Sequence, residues 1–264
     1  MEKLHIVTVA TESKYYFPYL IESCKKNNTE LTVLGFGEKW KGFNWRLKLM
    51  RSYLLKLPLD DIVCFVDGYD VICTRNLMEM IPVFKQLKLK NNCKIIVGYD
   101  NVKNPIVKFI VRSYFKNIIN AGTYIGVNKD ILEMLDSIYK IDSNDISDDQ
   151  KLLNKYYNMN NCNIYIDIYG ELFGTIISGL PLNNIEKYYT VNDNNVNIKN
   201  TNIYPFFIHA PNANYISSIL NKLNYKSTTI IDENIRKDYL YKFIKIIYYF
   251  LVNQLNAINR FISL

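Results

Sequence analysis

Apolar and polar positions along the first hundred residues fall into two alternating patterns. Runs of β-branched and aromatic residues at Leu4–Ala10, Leu31–Phe36, Ile62–Val66 and Cys93–Tyr99 each close on a turn signal and predict strands. Between them, Phe17–Lys26, Trp45–Leu57 and Leu77–Leu89 read as helices; in the second, Leu47, Met50, Leu54 and Leu57 recur at helical spacing. Strand and helix in alternation predict an α/β fold with a parallel, doubly wound sheet. Ile62–Val66 has no polar interruption, as expected of a strand buried on both faces. Right-handed crossovers would bring Thr8–Thr11, Asp67–Asp70 and Tyr99–Asp100 to one edge of that sheet, where open α/β sheets bind ligands.

The pattern loosens after residue 100. Ile106–Phe115 predicts a helix over the expected crevice, and Asn120–Val127 a strand whose small residues admit close approach of a ligand or another backbone. Helices over Ile131–Ile141 and Lys151–Tyr157 flank an acidic loop, Asp142–Asp149. Strands are expected at Asn163–Ile168, Leu172–Ile177 and Ile203–Ile208, with an exposed Asn-rich stretch at Asn192–Asn202. Asp238–Leu264 reads as one long helix. Its apolar run, Ile246–Val252, is far shorter than the roughly 20 residues of a membrane span, so a docking or dimer helix is expected. Without repeats or a Gly/Ser linker, the chain divides into one domain, 1–230, and a helical tail, 231–264.

Composition narrows the class. At 264 residues, 49% hydrophobic and 22% charged, the chain suits one large globular domain. The net charge of +7 is spread through the expected helices rather than clustered, which argues against a nucleic-acid-binding face. Five cysteines, Cys24, Cys64, Cys73, Cys93 and Cys162, are odd in number and have no CxxC spacing, so neither a zinc ribbon nor a disulfide framework is expected. The N-terminus opens on a strand pattern with no signal-peptide arrangement, so a reducing, cytoplasmic location is the default.

The candidate chemistry begins where Ile62–Val66 runs into Asp67-Gly68-Tyr69-Asp70. Two carboxylates at a strand's end suit Mg²⁺ or Mn²⁺, which in turn suits a diphosphate; an Asp-Gly turn after a core strand is the plainer reading. His209 also ends an apolar strand, where imidazole can complete a two-carboxylate Mn²⁺ site or serve structure alone. His5, inside a strand pattern, reads as structural. Asp148-Asp149-Gln150 is either a helix N-cap or a carboxylate pair able to orient a sugar hydroxyl. No Walker A, GxGxxG, HExxH or GxSxG pattern is present.

Taken in order, six segments resemble the glycosyltransferase domain of procollagen lysyl hydroxylases, a metal-dependent domain of GT-A type. They are Ile6–Thr11, Leu34–Gly42, Phe65–Ile72, Asn120–Gly126, Asp148–Gln150 and Ile208-His209, and together they span about residues 4–225. Similar chains occur in giant viruses, an origin with which the Asn-, Lys- and Ile-rich composition is compatible. The resemblance implies a GT-A, Rossmann-like fold with a mostly parallel sheet flanked by helices. It also implies Mn²⁺ (or Mg²⁺) held by Asp67, Asp70 and His209 against a UDP-sugar. Tyr69 would stack on uracil beside Thr8, Val9, Ala10 and Thr11; Arg46 or Lys48 would approach the phosphates, with Gly122 and Asn212 also on the donor. Asn120, Asp148 and Asp149 would line the sugar and acceptor pocket.

The implied activity is retaining transfer of glucose from UDP-glucose to galactosyl-hydroxylysine of a collagen-like polypeptide, with a homo-oligomer through the tail as a further expectation. UDP-galactose-dependent transfer to hydroxylysine is the alternative enzyme, and a non-catalytic sugar-nucleotide-binding scaffold the alternative class. Two departures stand out. Ala210-Pro211-Asn212-Ala213 replaces the family's glycine-rich turn and lysine, and Asn101-Val102-Lys103-Asn104 replaces an aromatic acceptor-side segment. No counterpart of the hydroxylase domain is present, so iron and 2-oxoglutarate are not expected.

Overall fold

The computed structural model describes residues 2–99, 119–160, 163–176, 185–192, 195–211, 215–226 and 231–238. The expected helix at Ile106–Phe115, the tail beyond Asp238, Asp100, Cys162 and Asn212 lie outside the described residues.

Six strands form the main sheet: β1 (Leu4–Val9), β2 (Leu31–Leu34), β3 (Ile62–Val66), β5 (Ile95–Tyr99), β6 (Ile119–Val127) and β7 (Ile164–Asp167), in the order β2-β1-β3-β6-β5-β7. The β1–β2, β1–β3 and β5–β7 pairs are parallel. β6 runs antiparallel to both neighbours, so the sheet is mixed rather than wholly parallel. The reversal matters because it carries Asn120–Gly122, at the start of β6, to the carboxyl end of β3.

Alternation along the strands builds two cores. Val7, Val9, Val63 and Phe65 face α2 (Phe43–Leu54), α4 (Asn128–Ile141) and α5 (Asp149–Asn160), packing with Met50, Leu54, Met134 and Leu153. Ile6, Ile62, Cys64 and Val66 point the other way, toward Leu20 of α1 (Phe17–Lys26) and Phe84 of α3 (Met80–Lys90). All five residues of β3 are buried, as its unbroken apolar run requires. Cys24, Cys64, Cys73 and Cys93 are free and buried.

A second sheet has the order β4-β11-β8, from β4 (Val71–Cys73), β8 (Phe173–Thr175) and β11 (Phe207–His209). β4 follows directly from Asp70, three buried residues too short to stand out as a strand in the sequence. The expected strand at Ile203–Ile208 is shifted and shorter, with Pro205 preceding it. The Asn-rich stretch is not simply an exposed loop. β9 (Tyr189–Asn192) and β10 (Asn195–Ile198) pair antiparallel, and Val196 and Asn197 are buried. Val196 joins Ile208, Ile219 of α6 (Ser217–Lys222) and Tyr225 in a third cluster. Helical residues 231–238 pack here through Ile231 and Ile235, while Asp232 accepts hydrogen bonds from Tyr16 and Ser217. No helix among the described residues is long and apolar enough to cross a membrane.

His5 has the structural role its strand position suggests. Its Nε2 lies 2.8 Å from Asp61 Oδ2, and Lys3 N–H donates to Asp61 Oδ1 at 3.0 Å, tying β1 to the start of β3. Burial works against the ionised carboxylate, but the bonds from His5 and Lys3 outweigh it and hold the Asp61 pKa below its ordinary value. A lowered carboxylate pKa contributes stability above the unfolded value, and that contribution is lost as pH falls through the folded one. Asp61→Asn is therefore expected to cost about 1–3 kcal/mol at pH 7 in denaturant unfolding, with the difference from wild type shrinking as pH falls through the lowered folded pKa of Asp61.

Candidate active site

The site lies at the junction of the two sheets, and the Asp67–Asp70 turn makes that junction. Asp67 N–H donates to Gly122 O at 2.8 Å, fixing the first carboxylate to β6 of the main sheet. Ala210 N–H donates to Asp70 O at 2.8 Å, fixing the second to the strand end of the small sheet. Antiparallel pairing of β11 with β4 sets His209 opposite Val71 and so brings the imidazole to both carboxylates. His209 Nε2 lies 3.2 Å from Asp70 Oδ1 and 3.7 Å from Asp67 Oδ2.

One donor atom from each of Asp67, Asp70 and His209 falls within 4.8 Å of the other two. His209 is 2% exposed, whereas both aspartates are half-buried and open to a ligand. Two carboxylates and an imidazole converging at this spacing fit a divalent cation of the Mg²⁺/Mn²⁺ type. Gly122 supplies the room. A Cβ there would collide with Asp67 Oδ2, lie 2.5 Å from His209 Cε1 and come within 2.9 Å of Asn120 Oδ1. Gly122→Ala is accordingly expected to weaken Mn²⁺ binding by about 10–100-fold, the usual scale for displaced ligands, as read by calorimetric titration. An unchanged affinity would show that the three side chains do not act together on a cation.

Arg46 occupies the other side of Asp67. Its Nη1 pairs with Asp67 Oδ1, while Nη2 and Nε both reach Asp149 Oδ2, the latter at 2.6 Å. The guanidinium stacks over Phe65, 5.2 Å from the ring centre. Burial alone would lower the Arg46 pKa, but attraction to Asp149 and Asp67 outweighs it and raises the value, so this cation stays charged. Burial pushes the Asp149 pKa up, with Arg46 opposing the shift. Asp67 thus shares one oxygen with an arginine and turns the other toward His209.

The remaining expected residues separate clearly. Asn120 is buried, and its Oδ1 accepts from Gly122 N–H at 2.7 Å. Thr8, Val9 and Ala10 are buried at the end of β1, and Thr8 Oγ1 has no hydrogen-bond partner among the described residues. The Tyr69 hydroxyl accepts from Thr11 N–H at 2.9 Å, and its ring meets Tyr15 edge-on and Phe17 at a tilt. Lys48 is not brought to the site: its Nζ donates to Ser143 O at 2.8 Å and pairs with Asp145. Asp148 is exposed and accepts from Lys151 N–H at 3.2 Å, the N-cap arrangement at the start of α5.

Two residues inside the segments named above, Tyr124 and Gln150, contribute in ways the sequence did not mark. Tyr124, opposite Phe65 across β3–β6, stacks on that ring at 4.9 Å and lies in the field of Arg46, Asp149 and Asp67. Burial raises its pKa, keeping the phenol neutral. Gln150 binds Ala121 N–H at 2.9 Å and donates to Ile119 O, anchoring α5 to the strand beneath the site. Tyr124 lies within Asn120–Gly126, but nothing in its spacing marks it as more than a core aromatic.

A mostly parallel sheet flanked by helices, with an acidic pair and a histidine at its carboxyl edge, is the arrangement expected of a GT-A type glycosyltransferase. The chain matches the family model described as "PLOD GT domain" over residues 1–235. It belongs to the PLOD GT domain family, a family of glycosyltransferase domains. It is 29% identical over 172 residues to procollagen-lysine,2-oxoglutarate 5-dioxygenase of Drosophila melanogaster, covering 59% of this chain and 22% of that protein. To the multifunctional procollagen lysine hydroxylase and glycosyltransferase of Caenorhabditis elegans it is 27% identical over 181 residues, covering 63% and 23%. The chain spans less than a quarter of the length of these relatives. A crystal structure of a glycosyltransferase involved in the glycosylation of the major capsid of PBCV-1 shares the fold, with TM-score 0.53 and 13% identity over 89% of this chain and 99% of that one.

Proposed function

We propose that this chain is a Mn²⁺-dependent retaining glycosyltransferase that moves glucose from UDP-glucose to galactosyl-hydroxylysine of a collagen-like polypeptide. The observation that carries the reading is the Asp67–Asp70–His209 cluster at the junction of the two sheets, with Tyr69 in the same turn and Arg46 paired to Asp67. Asp67, Asp70 and His209 would hold the cation, which when bound supplies Lewis-acid neutralisation of the charge on the departing diphosphate. Tyr69, steadied through its hydroxyl at Thr11, offers its ring to uracil, and Thr8–Thr11 line the nucleoside. Asn120 and Asp149 face the transferred sugar, Asp149 held in place by Arg46.

In this reading the carboxylates position groups and do not attack the sugar. The acceptor hydroxyl oxygen bonds to the anomeric carbon as the bond from that carbon to the diphosphate oxygen breaks. The hydroxyl proton passes to the leaving UDP on the same face. The acceptor class is supported by relatives named as procollagen lysine hydroxylase and glycosyltransferase.

The test is UDP release with Mn²⁺ from UDP-glucose and UDP-galactose in turn, with and without galactosyl-hydroxylysine or free hydroxylysine. Release from UDP-glucose stimulated by galactosyl-hydroxylysine is expected. Preference for UDP-galactose with hydroxylysine would replace the donor and acceptor assignment, and absence of UDP binding and release would remove the transferase reading.

A further inference from the structure

A second concavity, separate from the cation cluster, opens at the edge of the small sheet. Its cavity of about 250 Å³ is lined by Tyr99, Tyr169, Thr175, Tyr188, Tyr189 and Asn200, among others. Thr175 lies in register beside His209 in the parallel β8–β11 pair, so the cavity begins one strand from the cation cluster. Tyr99, at the carboxyl end of β5, contributes from the main sheet.

The loop that walls the cavity is held rigidly. Asp167, 1% exposed, accepts from the backbone N–H groups of Glu171, Leu172 and Phe173 at 2.9, 2.8 and 2.9 Å. Gly170 takes φ +72°, a left-handed conformation that suits glycine, to close the turn. The result is that Tyr169, 59% exposed, is presented at the mouth by a fixed backbone. Thr175 Oγ1 is buried with no hydrogen-bond partner among the described residues, leaving a hydroxyl for a ligand to satisfy.

We propose that this cavity is the acceptor-sugar subsite and takes the pyranose ring of a neutral hexoside; the assignment rests on the glycosyltransfer reading above. Tyrosine faces suit the apolar C–H surface of a pyranose, and Thr175 suits one of its hydroxyls. The volume falls below the roughly 300–1,000 Å³ of drug-sized sites, which fits a single ring. A phosphate is served less well, since Lys199 is the one cation in the lining among the described residues and the Asp167 carboxyl lies in the same wall. Position agrees, because β8, which supplies Thr175 to the lining, pairs with β11 on the side away from β4 and sets Thr175 opposite His209.

The experiment is saturation-transfer NMR with methyl β-galactoside, methyl β-glucoside and free hydroxylysine as probes, in the presence of Mg²⁺ and UDP. Wild type, Tyr169→Ala and Thr175→Val are compared, and UDP affinity is measured on each by calorimetry. A hexoside is expected to bind wild type and to bind Tyr169→Ala about tenfold more weakly, with UDP affinity unchanged. Tyr169 is on the surface, so its removal leaves the fold intact. Hexoside binding that neither substitution weakens, binding of hydroxylysine alone, or no hexoside binding to wild type would each overturn the subsite. Hexoside binding lost in Tyr169→Ala without any UDP binding would uphold the subsite and remove the donor reading instead.

Discussion

Replacing Asp67 with alanine is expected to lower Mn²⁺-dependent UDP release by on the order of 10²–10³-fold while leaving the circular-dichroism spectrum unchanged. The size follows from the position of this residue. Asp67 is the one carboxylate in the site that serves both partners, with one oxygen toward His209 and the other on Arg46. Losing it removes a cation ligand and frees one arm of the guanidinium. The side chain is partly exposed, 23%, so no deep cavity is left and the fold survives. Asp70→Ala removes a ligand but not the arginine contact, so it is expected to reduce turnover while sparing Arg46. Full turnover in Asp67→Ala would remove the metal assignment.

The largest expected loss of stability comes from Arg46→Met. Arg46 and Asp149 form a buried pair, 10% and 6% exposed at their side chains, and breaking one half leaves the other charged or protonated in an apolar surround. The cost is about 3–5 kcal/mol, which for a chain of this size lowers the melting temperature by roughly 10 °C. Burial already pushes the Asp149 pKa up, and losing the arginine removes the attraction that opposes the shift. Arg46→Met combined with Asp149→Leu is expected to recover much of the stability, because an apolar pair needs no compensating charge. The double variant remains inactive in this account, since Asp67 has lost its cationic partner. Thermal melts of the three proteins check the argument, and a single variant that melts with wild type would contradict it.

The elements most easily read from sequence are those whose burial is symmetrical. β3 is buried on both faces and is written as an unbroken apolar run; α1 begins and ends where its pattern does. The direction of β6 was not legible, because a strand's residues do not state whether its neighbour is reached by a crossover or a reversal. β4 was hidden by its length, with three residues giving no period. The β9–β10 hairpin was masked by asparagine, although Val196 and Ile198 alternate in a way that a strand would require.

The site was legible in its parts and not in its convergence. Asp67 and His209 each end an apolar run and Asp70 closes the turn that follows Asp67, yet only the pairing of β4 with β11 brings the imidazole to the carboxylates. Arg46 and Lys48 could have been separated by helical phase alone. Arg46 stands four residues before the buried Met50, on the face toward the sheet, while Lys48 lies about 200° further round. Asp148 and Asp149, adjacent in sequence, divide the two roles open to them: one caps α5 at the surface and the other turns inward to Arg46. Tyr169 gave no signal beyond a tyrosine in a loop. Its relevance comes from the three-amide clamp on Asp167 that fixes the loop beside the cavity.

In the proposed function Asp67, Asp70 and His209 hold a divalent cation against a nucleotide diphosphate. Calorimetric titration of UDP into the protein, with Mn²⁺ and then with EDTA, tests it most directly. Saturable UDP binding with Mn²⁺ that is lost in EDTA and in His209→Ala is expected; UDP binding of equal strength with and without the metal would overturn the cation assignment.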